Sequence, residues 1–425
     1  MSEIAVLGLG YVGITSLVGL AKLGHNVLGI DTDITKISSL SEGQIPIHEP
    51  GLKEIFGEEL GSGRIQFSTS YEDLRGFSGI VIVCVSTPAT EWGGANLDNL
   101  NSAVDSLINV LSPGAIIAVK STVPIGTCEA LSDKLGSRGI GIASNPEFLA
   151  EGSAMSDFLE PSRIVVGASS EDLADSVMVL YKSIIAPRLI CDLATAESIK
   201  YASNAFLALK LSFVNELASL SERTGADTKQ VLHGMSLDER IGDKFLKPGP
   251  GWGGSCFPKD TRELVFTGRS LGAPFLTIEA AIQSNQTQMQ NVSTAVLNFF
   301  GQDLSGIEVA IWGLAFKANT NDTRDSPAIE VSKMLSDKGA QVIVYDPIAK
   351  GEEMSWLKMV ESPLMACEGA SALLVLTEWP EFAEADPNLV KAKMTSSPLI
   401  FDTRRVLDPK KWAEVFSNFK IVGQQ

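Results

Sequence analysis

The sequence predicts an α/β protein of two doubly wound domains joined by a helical middle domain with a long central helix. Three features point there. The first 35 residues read as strand, glycine turn, helix and strand; Thr195–Thr224 is one helical pattern without Gly or Pro; and the last third returns to alternating strand and helix patterns. At roughly 100–200 residues per domain, a chain of 425 residues makes two or three domains. The expected division is 1–195, 196–300 and 301–425.

Ile4–Leu7 reads as a buried strand, Gly8–Gly13 as a turn, and Ile14–Leu23 as an apolar helix ended by Gly24. Val27–Ile30 is the second strand, closed by Asp31. Ile80–Val85, Ala115–Val119, Gly141–Ala143 and Ile164–Val166 read as further buried parallel strands, with a helical pattern at Leu97–Leu111. Helices then dominate from Thr195 to about Phe300, interrupted by the Pro/Gly-rich stretch Lys247–Pro258. Val309–Leu314, Val342–Tyr345, Leu373–Leu376 and Leu399–Phe401 are strand-like, with a helix at about Pro327–Lys338. Leu20–Asp31 and Met334–Asp346 share a plan: each ends a helix at a glycine (Gly24, Gly339), then runs a strand to an aspartate.

Composition narrows the partners. The chain is 44% hydrophobic and 20% charged, as in ordinary globular proteins. Its net charge of −17 opposes phosphate backbones, so nucleic acid is not an expected partner. No basic amphipathic stretch points to a membrane surface, and no apolar run reaches membrane-spanning length. The N-terminus lacks the pattern of a signal peptide. The five cysteines include no C-x-x-C pair, which fits a reduced, cytoplasmic setting. His25, His48 and His233 form no ligand pattern, and no metal is expected.

Gly8-Leu9-Gly10-Tyr11-Val12-Gly13 fits G-x-G-x-x-G in the context that the motif requires, after a strand and opening a helix. Gly8 permits the tight turn, Gly10 lets backbone approach a pyrophosphate, and Gly13 allows close helix–strand packing. The helix N-terminus offers N–H groups to phosphates. Asp31 ends the second strand, where a carboxylate binds both ribose hydroxyls and repels a 2′-phosphate, so NAD is favoured over NADP. Lys36 is either a contact to the adenosine ribose or a solvated lysine. The alternative for the whole motif is a glycine turn that binds nothing, or FAD. With it, the first domain is expected to be Rossmann-like, and the last one too.

Gly249–Asp260 is the most unusual segment: four glycines and two prolines within ten residues belong to neither a core helix nor a core strand. Cys256 ends that loop just before two charges, Lys259 and Asp260, with polar and cationic groups nearby that can stabilise a thiolate. Its alternative is a buried inert thiol, the reading given to Cys84, Cys128, Cys191 and Cys367. Lys200 and Asn204 are four apart on the long helix, so an ammonium and an amide share one face and can steady an oxyanion; the alternative is a solvated face. Glu147 and Glu151 follow a strand end, where open α/β sheets place ligands, and either can serve as a general base. Thr122 follows another strand and can hold a water or the cofactor.

GLGYVG, IHEPGL, VSTP, STVPIGT, NPEFLAEG, KYASN, RIGDKFLKPGPGWGGSCFPKD, GLAFKANTNDTRDSP and FDTRRV follow one another along nearly the whole chain. Together they resemble the UDP-glucose 6-dehydrogenase family of nucleotide-sugar dehydrogenases, most specifically around Cys256. The resemblance implies NAD-dependent four-electron oxidation of UDP-glucose to UDP-glucuronate, with Cys256 as the nucleophile that forms a thiohemiacetal and then a thioester. It implies that Lys200 and Asn204 stabilise the oxygen at C6, that Asp260 assists through water, and that Glu147 is the base for hydrolysis, with Thr122 nearby. It matches Gly8, Gly10, Gly13, Asp31, Lys36, Thr87, Thr122, Glu151 and Arg324 to cofactor positions, the first three framing Tyr11 and Val12. Glu147, Phe148, Leu149, Lys200, Asn204, Arg240, Lys247, Gly253, Phe316, Lys317 and Arg404 match substrate positions. Arg240 matches a residue that reaches across from a neighbouring subunit, implying a homodimer built on the middle domain. Trp252 stands where a smaller aromatic is common, and Ala318 where many relatives carry Pro or Lys.

Other substrates within the family stay open: GDP-mannose, UDP-N-acetylglucosamine and UDP-N-acetylmannosamine dehydrogenases share the Cys–Lys–Asn–Asp set. Outside it stand a two-electron enzyme resembling the 3-hydroxyacid dehydrogenases, which also place a Lys and an Asn four apart on a helix, and a non-catalytic NAD-binding sensor.

Overall fold

Apolar residues with few polar interruptions form the strands of the first sheet: β1 (Glu3–Leu7), β2 (Asn26–Ile30), β3 (Ile65–Ser68), β4 (Ile80–Val83), β5 (Ile116–Val119), β6 (Gly141–Ser144), β7 (Ile164–Ala168) and β8 (Arg188–Cys191). The computed structural model describes residues 3–351 and 353–424. It divides into two units, Met1–Ser203 with Arg262–Ala273 and Asn204–Thr261 with Pro274–Gln425.

The first sheet has the order β3-β2-β1-β4-β5-β6-β7-β8, and β1 to β6 are parallel in the 3-2-1-4-5-6 arrangement of dinucleotide-binding folds. Both faces are covered. Ile4 and Val6 of β1 join one apolar cluster with Leu17 and Phe158, while Ala5 and Leu7 join another with Leu100 and Leu107.

One expectation is corrected: β7 is not parallel to its neighbour but antiparallel, pairing with β6 at Ala143↔Ala168 and Ser144↔Gly167. All five residues of β7 are buried. A strand covered on both faces shows an unbroken apolar run whichever way it points, so hydrophobicity does not report its direction. The edge strand β8, largely exposed, was not expected, nor was β3.

The helix Leu193–Thr224 is 32 residues long, about 48 Å at 1.5 Å per residue, and begins two residues before the expected start. The helix Leu276–Phe300 adds 25 residues. The second sheet comprises β9 (Glu308–Trp312), β10 (Gln341–Tyr345), β11 (Leu357–Met359), β12 (Ala372–Val375), β13 (Leu399–Asp402) and β14 (Phe419–Ile421). It is wholly parallel, in the order β11-β10-β9-β12-β13-β14. That is again the 3-2-1-4-5-6 pattern, so the similarity between the two ends of the sequence is a similarity of fold. Trp312 stacks on Phe382 at 5.1 Å and meets Trp412 edge-on at 6.1 Å in its core.

Among the described residues, no helix is long and apolar enough to cross a membrane.

Candidate active site

Two of the three glycines of the first turn have a steric reason of their own. Gly8 has φ +85°, and a side chain there would put Cβ 2.9 Å from the Cys84 carbonyl oxygen. A Cβ at Gly13 would overlap the Gly8 carbonyl oxygen, whereas one at Gly10 would meet nothing within 4 Å. The open space thus lies at the glycine where a pyrophosphate approaches backbone, just before the helix Tyr11–Lys22.

Asp31 lies past the end of β2, where its Oδ2 accepts from Leu9 N at 2.8 Å and Lys36 Nζ at 2.7 Å, and its Oδ1 from Asp33 N at 3.0 Å. Burial pushes its carboxyl up, but the Lys36 ammonium and the Asp33 and Leu9 N–H groups outweigh that and hold it below the ordinary range. It is therefore an anion at the second strand's end, as ribose recognition requires. These residues fit a dinucleotide. The corresponding Asp346 after β10 has a different fate: Leu314 N, Ala315 N and Trp379 Nε1 donate to its Oδ2, and Ile348 N and Ala349 N to its Oδ1. Five donors consume that carboxylate, so in the second sheet the same position holds loops together.

Thr87 is buried, and its hydroxyl donates to the Thr122 carbonyl at 2.8 Å, tying together the loops after β4 and β5. The loop after β5 is braced from the long helix: Glu197 accepts from Gly126 N at 2.6 Å and Cys128 N at 2.8 Å.

Glu147 and Lys200 form a buried pair at 2.6 Å, with side chains 5% and 4% exposed. Leu149 N also donates to Glu147 at 2.6 Å. Burial pushes the Glu147 carboxyl up, but the Lys200 charge, the two hydrogen bonds and Lys120 bring it below its ordinary value. Lys200 lies 5.7 Å from the centre of the Phe148 ring, which also stacks under the Arg163 guanidinium at 3.7 Å. Of the two acids that the sequence left open as bases, Glu147 is the one paired with the helix lysine.

In the other unit, Asn204 Nδ2 donates to Asp260 Oδ2 at 2.6 Å, and Lys259 Nζ lies 2.5 Å from Asp260 Oδ1. Asp260 is wholly buried. Cys256, half-buried, immediately precedes the helix Phe257–Ser270, and its carbonyl accepts from Asp260 N at 2.9 Å. Its Sγ is 3.5 Å from Ser255 Oγ. The positive end of a helix favours negative charge on a sulfur placed there. Burial pushes Cys84 and Cys367 up to about 12 and raises Cys128 and Cys191 too.

The Cys256 loop is held by amides that sequence reasoning did not single out. Asn285 accepts from Trp252 N at 2.7 Å and donates to Trp252 O at 2.8 Å. Asn215 accepts from Gly249 N at 2.8 Å, and Gln288 donates to Gly249 O at 2.7 Å. Trp252 Nε1 donates to Ser212 Oγ at 2.9 Å, which is what the indole adds at a position where smaller aromatics are common. The available signal was polar residues three apart on helices (Ser212 and Asn215, Asn285 and Gln288), all buried. A Cβ at Gly253 would overlap the Asp325 carbonyl oxygen, and one at Gly254 would lie 2.8 Å from the Phe316 ring.

Phe316 O accepts from Arg404 Nη2 at 2.7 Å, and Arg404 Nε also meets Leu376 O at 2.8 Å and Glu378 at 3.1 Å. Lys317 Nζ lies 5.5 Å from the Phe316 ring centre. Arg324 pairs with Asp322 through Nε and Nη2, while its carbonyl accepts from Gly254 N at 3.0 Å. Arg240 has a side chain 88% exposed and pairs with Asp238. Lys247 is exposed as well. Neither joins these clusters within its own unit.

Three consecutive stretches match the UDP-glucose/GDP-mannose dehydrogenase family: residues 2–185 its NAD binding domain, 194–287 its central domain and 310–409 its UDP binding domain. The chain is 40% identical over 419 residues to UDP-glucose 6-dehydrogenase TuaD of Bacillus subtilis, covering 96% of this chain and 90% of that one. It is 39% identical to the UDP-glucose 6-dehydrogenase of Rhizobium meliloti, covering 99% of each. The solved UDP-glucose dehydrogenase of Pyrobaculum islandicum is similar with a TM-score of 0.90 at 35% identity, covering 100% of this chain and 98% of that one. A UDP-D-ManNAc dehydrogenase of Pyrococcus horikoshii gives 0.88 at 26% identity, covering 99% of each.

Proposed function

Because the chain belongs to the UDP-glucose/GDP-mannose dehydrogenase family, we propose that it oxidises UDP-glucose to UDP-glucuronate through a covalent intermediate on Cys256. The observation that carries the reading is the braced loop that holds Cys256 at a helix N-terminus, next to the Asn204–Asp260 pair on the same helix and loop framework.

Bound NAD supplies the acceptor for one hydride in each of two oxidations. Gly8, Gly10, Gly13 and Asp31 would hold it, with Tyr11, Val12, Lys36, Thr87, Thr122, Glu151 and Arg324 as further contacts. Lys200, ion-paired with Glu147, steadies the C6 oxygen as it becomes a carbonyl oxygen. The hydroxyl proton leaves through a water held by Asp260. The Cys256 sulfur then adds to the aldehyde carbon and its proton passes to the oxygen, giving a thiohemiacetal. That covalent bond keeps the aldehyde from escaping between the two oxidations. Loss of the second hydride and the hydroxyl proton leaves a thioester. Water adds to the thioester carbon while Glu147 takes its proton. Lys200 and Asn204 stabilise the oxyanion, the C–S bond breaks, and the sulfur regains a proton. The sum is UDP-glucose, two NAD+ and water giving UDP-glucuronate, two NADH and three protons.

For the UDP-sugar itself the reading assigns Phe148, Leu149, Lys247, Gly253, Phe316, Lys317 and Arg404. It also assigns three domains with boundaries near 195 and 300, a cytoplasmic setting, and a homodimer in which Arg240 serves the neighbouring subunit's site. Exposed Phe206, Phe213 and Leu220 on the long helix supply an apolar face for such a partner. Counting NADH per sugar tests the chemistry: two per UDP-glucose are expected, and one would return the protein to the two-electron class. Assaying GDP-mannose and the two UDP-N-acetylhexosamines alongside tests the sugar; a higher kcat/KM for any of them would replace UDP-glucose.

A further inference from the structure

Glu49, in the segment IHEPGL, takes no part in the proposed chemistry, yet it is only 6% exposed and its carboxylate gathers three donors. Tyr11 Oη and Gly152 N, the latter at 2.7 Å, donate to Oε2, and Ala154 N donates to Oε1 at 2.7 Å. Gly152 N is also 3.1 Å from Tyr11 Oη. Tyr11 belongs to the glycine turn. Gly152 and Ala154 close the loop that carries Glu147 and Glu151, and Gly152 turns there with φ +80°. Asp157 fastens this loop to itself, through Ala150 N at 2.9 Å and Ser153 Oγ at 3.0 Å. Glu49 fastens it to the turn. Glu151 is near enough that its charge, after burial and Glu49, adds to raising the Tyr11 hydroxyl.

We propose that Glu49 is a positioning residue for the reaction: its carboxylate locks the loop bearing Glu147 and Glu151 to the glycine turn through Tyr11. The inference rests on the reading of Glu147 as the hydrolytic base. Only an acceptor with no hydrogen of its own satisfies this site, because O–H and N–H donors converge on both oxygens. A glutamine of the same volume would aim its NH2 at Ala154 N–H or at Gly152 N–H, leaving a buried donor facing a donor. The loop would have to shift to relieve it, and Glu147 would move with it.

The test compares wild type with Glu49→Gln, Glu49→Asp, Tyr11→Phe and the Gln/Phe double variant, using UDP-glucose and NAD. Glu49→Gln is expected to lower kcat about 100-fold, the effect of a roughly 1 Å misplacement, with KM for UDP-glucose within about threefold. The loss should fall after the second oxidation: a rapid burst of two NADH per site, then slow turnover. Adding Tyr11→Phe should cost far less in the Glu49→Gln background than alone. Amide exchange over 145–154 should quicken. If Glu49→Gln does not fold, Glu49→Asp and Tyr11→Phe carry the same test, with a smaller burst-to-turnover gap.

A kcat within twofold of wild type would overturn the proposal. So would a loss in which burst and turnover shrink together in proportion to the folded fraction, since that is a purely structural effect. Cys256→Ser read in parallel separates the two claims. Full turnover there sinks the covalent scheme, while exchange at 145–154 and the Tyr11 coupling still decide the Glu49 lock.

Discussion

Replacing Glu147 with Gln takes a carboxylate charge away from the buried Lys200 ammonium, while Lys200→Met takes the ammonium away from the Glu147 carboxylate. Both side chains are about 5% exposed or less, so solvent screens little, and removing one partner of such a pair costs about 3–5 kcal/mol. At about 2–4 °C per kcal/mol for a unit of this size, each single variant should melt on the order of 6–20 °C below wild type. The double variant removes both charges and should cost clearly less than the sum of the singles. Urea denaturation of the four proteins at pH 7 measures the cycle. Acid supplies a second arm. The folded Glu147 carboxyl is held below its ordinary value of 4.5, so its contribution is complete above that pH and is lost as pH falls through the lower folded value. The stability gap between wild type and Glu147→Gln should stay constant from pH 7 towards 5 and narrow below 4.5. A single substitution costing under about 1 kcal/mol, or strict additivity in the double variant, would refute the buried pair as the organising contact here.

Gly13→Ala drives a Cβ into the Gly8 carbonyl and should abolish NADH binding in a fluorescence titration; binding within threefold of wild type would contradict the steric reading. Asp31→Asn keeps an acceptor for Leu9 N but removes the charge. It should raise the KM for NAD about tenfold, the worth of one charged hydrogen bond, and lower that for NADP, which steady-state rates with both cofactors would show. Asn285→Ala orphans the Trp252 N–H and carbonyl, at about 1–3 kcal/mol for each buried group. Both melting temperature and kcat should fall, and an unchanged kcat would mean that the brace does not set Cys256.

The parts legible in the sequence were those with a local cause. Gly8 and Gly13 are fixed by contacts within the turn or with the adjacent strand, and the long helix announces itself by lacking Gly and Pro. Asp31 and Asp346 looked alike because each ends a strand after a glycine-closed helix. What separates them is Trp379 and the backbone around 314 and 348, which no local pattern reveals. Lys200 and Asn204 were expected to act together from their spacing. The structure pairs Lys200 with Glu147 and Asn204 with Asp260, 53 and 56 residues away in sequence. Asn285, beyond its spacing to Gln288, and Glu49 were hidden for the same reason: a buried polar side chain reads as an ordinary surface residue until its distant partners are known. The direction of β7 was hidden because burial on both faces erases alternation.

The central claim is that Cys256 carries the sugar between oxidation and hydrolysis. Acid-quenching the enzyme during turnover of UDP-glucose with NAD, followed by peptide mapping, tests it most directly. The predicted result is a UDP-sugar acyl adduct on the peptide containing Cys256, released by hydroxylamine as a thioester should be, and absent from Cys256→Ser, which makes no UDP-glucuronate from UDP-glucose. Steady formation of two NADH per sugar by Cys256→Ser, with no adduct at any time in the wild type, would contradict the account.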